Sequence, residues 1–209
     1  MTPSTAIHDR FTSTTQWDIF RYESDTHTTQ AKPFFTEEAE YLVMAARALA
    51  AGNHSVWERY WNMALRMREC GQRFAYHHSQ FLGNLTLNGG INLFSTLLCG
   101  GAGTPFDNAN AYLGVGDSNT IEDATQVGLQ AASNKLYFPM DVSFPTFGAN
   151  QQASWKATFG PSQANYHWLE FTVANGNSDS AINLNRKVND QGVKEAGKTW
   201  VPTLTIIWS

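Results

Sequence analysis

Hydrophobic and polar positions change period along this 209-residue chain. In the C-terminal half the period is two. Over 154–159, Trp155, Ala157 and Phe159 take one face and Ser154, Lys156 and Thr158 the other, the pattern of a half-buried strand. Over 167–173, His167, Leu169, Phe171 and Val173 share a face. Ile182 and Leu184 alternate with Asn183 and Asn185. Over 200–208, Leu204, Ile206 and Trp208 alternate with Thr203, Thr205 and Ile207. A short apolar run at 112–115 and a partly alternating one at 136–144 add two more strands. Six short strands parted by Gly- and Asn-rich loops predict an antiparallel β-sandwich or barrel, jelly-roll-like, over 101–209. The last strand runs almost to the end, so the C-terminus should be locked into a sheet.

Upstream, over 36–100, the period is helical. Thr36 can cap a helix whose first turn carries Glu37, Glu38 and Glu40, near the positive end of the helix dipole. Leu42, Val43, Ala46, Leu49 and Ala50 form its apolar stripe, and Gly52 stops it. A second helix starts at Ser55, with Glu58 completing a capping box. Trp57, Tyr60, Trp61, Ala64, Leu65 and Arg68 follow at helical spacing, and Gly71 ends it. These two pieces predict a helical hairpin. A third helix is expected from about Gly89 to Leu98.

Residues 1–35 show no sustained period. Phe11, Trp17, Phe20, Tyr22, Phe34 and Phe35 are strung through Thr, Ser and Gln. Such a segment cannot bury its own rings, which points to an extended arm laid on a neighbour with aromatic anchors. A disordered tail is the alternative. Trp57 and Trp61 either add to the anchoring surface or pack the hairpin on the sandwich.

The formal net charge of −4 gives no basic field for nucleic acid. Charged residues are 15% and aromatic residues 13%, a balance that suits a β-rich surface meeting other proteins. Cys70 and Cys99 make no disulfide framework and are expected as small buried thiols. The polar start lacks a signal peptide's apolar core, and no apolar run reaches the roughly 18 residues of a membrane span. Synthesis in the cytoplasm and no membrane partner are therefore expected.

Candidate chemistry is sparse. CGGAGTPF lacks the Lys-Ser/Thr of a phosphate loop, and GVGDSN lacks the third glycine and the βαβ unit of a dinucleotide site. Asp117, Asn119, Glu122 and Asp123 offer oxygens to a hard cation, or form a solvated turn. The adjacent His77 and His78 point apart. Asp141 and Glu170 are a drawable carboxylate pair for glycoside hydrolysis. Trp155, Trp168, Trp200 and Trp208 are either sugar platforms or intersheet packing. No catalytic residue, cofactor or metal is expected.

Five segments carry a resemblance. They are NGGINLF (88–94), GTPFDNANAYLGVGDSNT (103–120), LQAASNKLYFPMDVSFPT (129–146), ATFGPSQANYHWLEFTVANG (157–176) and NLNRKVNDQGVKEAGKTW (183–200). In order and spacing they resemble a β-domain of virion proteins of tailed phages, over roughly 120 residues. They are less closely similar to tail-collar and fibre-attachment domains, which open with an LGVGD-like strand and end with an LNR strand. The resemblance implies a virion structural protein, foremost a capsid decoration or cement protein on the head shell. A tail, baseplate or fibre-attachment component and a carbohydrate-binding domain at the host surface are the alternatives. It implies the major capsid protein, copies of the chain itself (a trimer among the options) and tail proteins as partners. The first 80 residues carry none of it.

Overall fold

Residues 13–209 are described by the computed structural model. The described part begins with β1 (Ser13–Glu23), followed by a short helical lead-in, α1 (Ser24–Thr26) and a π turn (His27–Ala31). The helices α2 (Lys32–Ala50) and α3 (His54–Gln72) come next, then β2 (His77–Leu82), β3 (Leu85–Thr86) and α4 (Asn88–Leu98). The rest is β: β4 (Tyr112–Gly116), β5 (Lys135–Pro139), β6 (Thr146–Ala149), β7 (Gln152–Lys156), β8 (Glu170–Ala174), β9 (Asn185–Val188) and β10 (Lys198–Trp208). Two five-stranded antiparallel sheets result, ordered β2-β1-β10-β7-β6 and β3-β9-β8-β4-β5. The expected class, mainly β with a helical N-terminal part, is what the chain forms.

The arm expected over 1–35 differs from the structure over its described part. β1 pairs with β10 from Ser13↔Trp208 to Glu23↔Lys198, so the first and last strands lie side by side inside one sheet. Trp17 and Ile19 point into the sandwich and Tyr22 out of its opposite face, each at 0% exposure. The rings need no neighbouring molecule, because residues distant in sequence cover them. β2 and β3 also join the sheets, so the sandwich draws three strands from before residue 101.

The main core fills the space between the sheets. Trp17 of the first sheet meets Phe171 of the second, with ring centroids 5.4 Å apart. Trp168 packs edge-on against Trp200 and Phe159, each at 4.9 Å. Trp155, Trp168 and Trp200 are thus buried core residues, and Trp208 packs against the same cluster. Among these four tryptophans the packing reading is the one the structure displays.

The helical layer covers part of the outer face of the first sheet. Tyr22, Ala31 and Val201 form a second, smaller core there, with Phe20, Phe35 and Phe74 around it. α2 starts a turn earlier than the acidic residues suggested and turns back at Gly52, whose φ of +71° suits glycine. Asn53, not Ser55, caps α3, its side chain accepting from the Val56 N–H. Gly71 lies inside α3, where a Cβ would sit 2.6 Å from Phe35 Cε1. That close approach locks the two helices together.

Candidate interaction surface and interlayer cluster

All seven described candidate anchors contact other rings of this chain. Phe20 stacks on His78 at 4.1 Å, Phe34 on Phe74 at 6.0 Å, and Trp57 on Trp61 at 6.1 Å. Phe35 lies edge-on to Tyr22 at 6.3 Å. Trp61 is buried, as are Trp17 and Tyr22. Phe20, Phe34, Phe35 and Trp57 stay partly exposed, and Phe11 lies outside the described residues.

The exposed apolar surface is elsewhere. On α4, Gly90 and Leu93 face inward. A Cβ on Gly90 would come within 2.5 Å of the Leu184 carbonyl oxygen, so only glycine lets the helix sit this close to the strand. That docking turns Ile91, Phe94 and Leu98 outward, at 47%, 47% and 74% exposure. Their spacing puts them in one row. Ile182 continues the patch beside Gly89, and the Asn88 N–H donates to the Ala124 carbonyl of the adjoining loop, which exposes Ile121 and Val127. No charged residue occurs from Asn88 to Phe106. Cys99 is exposed at the end of the row, against the expectation of a buried thiol, and Cys70 is half-buried.

Strands β8 and β9 and the loop after β4 meet at a buried ion pair. Arg186 of β9 donates through Nε to Glu170 Oε2 of β8 at 2.8 Å, and both side chains are fully enclosed. Arg186 Nη1 also donates to the Thr120 carbonyl and to Gln126 Oε1. Glu170 accepts from the backbone N–H groups of Gln130 and Ala131. Gly116 faces Glu170 across the strands, and a side chain there would collide with the carboxylate. Gly114 likewise makes room for Thr172. The LGVG and LNR motifs are therefore parts of one structural joint that holds the 117–131 loop.

A second charged cluster sits between the helices and the sheet. Glu38 of α2 is buried and accepts from Arg68 Nε at 2.6 Å and Lys156 Nζ at 3.1 Å. Lys156 also lies 4.3 Å from the centre of the Phe144 ring. Asp141 accepts from the Thr158 hydroxyl at 2.8 Å, and burial raises its carboxyl above the ordinary range. Burial, aided by Lys32 and Lys156, pulls the His27 imidazole down to about 4. Its Nε2 and the Tyr22 hydroxyl have no hydrogen-bond partner among the described residues. Through Glu38, which Arg68 of α3 and Lys156 of β7 hold from two sides, the cluster ties α2 to α3 and to the sheet. Cavities of about 430 and 520 Å³ flank it.

The remaining sequence candidates do not converge. Asp117 accepts from Asn134, Glu122 from the Val188 N–H and Asp123 from Thr125, while Asn119 is exposed. No group of three or more His, Cys, Asp or Glu gathers as a metal site among the described residues. His77 lies against Arg21 and His78 against Asp18, on opposite faces of β2. Asp141 belongs to the interlayer cluster, whereas Glu170 is consumed by Arg186. Sequence reading missed Glu38 and Arg186. Paired charges in apolar surroundings show only once the fold is closed.

The chain matches no family profile, no curated protein and no solved structure.

Proposed function

We propose that this protein is a non-catalytic structural subunit of a tailed-phage particle, a decoration or cement protein that attaches to the outside of the head shell. The observation that carries the proposal is the uncharged α4 face, where Ile91, Phe94 and Leu98 stand exposed in one row. Contiguous apolar surface of this kind marks a protein-binding site. The helix is held rigidly by the Gly90 contact, so its row is presented without an ordering cost. The likeness of five segments to virion β-domains supplies the setting, and the buried tryptophans leave protein contact as a better reading than tryptophan-based sugar stacking. The partners in this reading are the major capsid protein and neighbouring copies of the chain, where a repeating lattice adds avidity to modest single contacts. A tail or baseplate position uses the same surface and differs in copy number.

Replacing Phe94 and Leu98 together by Glu should leave the thermal melt within a few degrees of the parent, since both side chains are exposed. Co-sedimentation with particles lacking the protein should fall at least tenfold. Undiminished co-sedimentation would remove α4 from the interface.

A further inference from the structure

The outer face of the first sheet divides in two. Where the helices cover it closely, it carries Tyr22 and Val201. Beyond Lys156 it turns polar and opens into a groove of about 430 Å³ walled by α3. The floor is built by alternation: Gln16 and Asp18 from β1, Thr203 and Thr205 from β10, Gln152 and Ser154 from β7. These positions share one face because the side-chain period of a strand is two.

Three properties define what fits. First, hydrogen-bonding capacity is unspent. The side chains of Gln72, Gln152 and Thr203 have no partner within the described residues, and neither does Arg68 Nη2. Second, charge is already balanced. The two cations Arg68 and Lys156 are offset by the two carboxylates Glu38, which both of them contact, and Asp18, which is held by Gln16, Gln80 and His78 at 2.7–3.1 Å. A groove with no charge left to neutralise favours an uncharged ligand. Third, Phe20 lies on the wall with its ring stacked on His78, giving an apolar surface beside the amides and hydroxyls. Amides, hydroxyls and an aromatic wall together suit a compact ligand with many hydroxyls and a C–H face, and the volume is in the range of small-molecule sites.

We infer that this groove binds one hexose unit of a neutral glycan. It is separate from the α4 face, and it places sugar recognition on the outer sheet rather than on the tryptophans. The test is titration of the ¹⁵N-labelled full chain with D-glucose, D-galactose and N-acetyl-D-glucosamine, followed by amide shifts. At least one sugar should move amides in 152–156 and 203–205 at millimolar concentration. Gln152→Leu with Thr203→Val should weaken that binding about tenfold, one to two hydrogen bonds' worth. The same variant should melt like the parent, because neither side chain has a partner to lose. Particle co-sedimentation should be unchanged, which keeps this inference distinct from the α4 proposal. The inference is overturned if none of the three sugars moves those amides, if the double variant binds as well as the parent, or if sodium phosphate produces the same shifts.

Discussion

Arg186 and His27 show what single buried groups do in this chain. Arg186 with Glu170 ties β8 and β9 to the 117–131 loop through bonds to Thr120, Gln126, Gln130 and Ala131. Removing one partner leaves a buried charge uncompensated, so Arg186→Met should cost about 3–5 kcal/mol in urea unfolding. The double change with Glu170→Met should recover part of that loss; equal instability of both variants would mean the hydrogen bonds, not the charges, dominate. His27 acts through pH. Its folded value near 4 lies below the ordinary 6.5, so below pH 6.5 the unfolded chain takes up a proton that the folded chain resists. Stability should therefore fall as pH drops from 6.5 to 4, by up to about 3 kcal/mol from this group. Asp141, with its raised value, works the other way in acid. The His27→Gln variant should lose the downward slope between pH 6.5 and 4, and an unchanged slope in denaturant midpoints would rule out His27 as its source. Neither residue stood out in the sequence. Glu38, which faces inward, was read there as one of three first-turn acids, since nothing local tells a buried glutamate from an exposed one.

At the scale of elements, legibility depended on how many faces of each strand are buried. β7 and β10 alternate cleanly beyond the helices and were read from their period of two. β1 has the same alternation, with Thr15, Trp17, Ile19 and Arg21 facing the sandwich. Its other face carries Phe20 and Tyr22 because helices lie over it, so apolar residues on both sides masked the period. β2 and β6 were missed for another reason: both are short edge strands, and β6 contains Gly148 at φ +84°. α4 was placed within a residue, but its outward row became meaningful only with Gly90 packed on Leu184. The consequence for β1 is direct. An extended arm would be dispensable for folding, whereas a strand paired along its whole length with β10 is not. Deleting residues 1–23 removes a central strand and the buried Trp17, Ile19 and Tyr22, and should abolish the cooperative thermal transition. A truncated chain that still melts cooperatively would show that the β1–β10 pairing is dispensable.

The described residues form three layers: a helical hairpin, a first sheet and a second sheet, with α4 packed on Leu184 just before β9. β1 and β10, the first and last described strands, pair in the first sheet, and the α4 face and the polar groove lie apart from each other. A rigid body with one apolar docking row suits a protein that acts by occupying a repeating lattice, where many weak contacts sum. That reading makes its strongest demand on abundance. Quantitative mass spectrometry of purified particles, scaled to the major capsid protein, measures copies per particle. The account predicts a number in the hundreds, set by the head lattice. A few to a few tens of copies would move the protein to the tail, and its absence from the particle would contradict the structural role altogether.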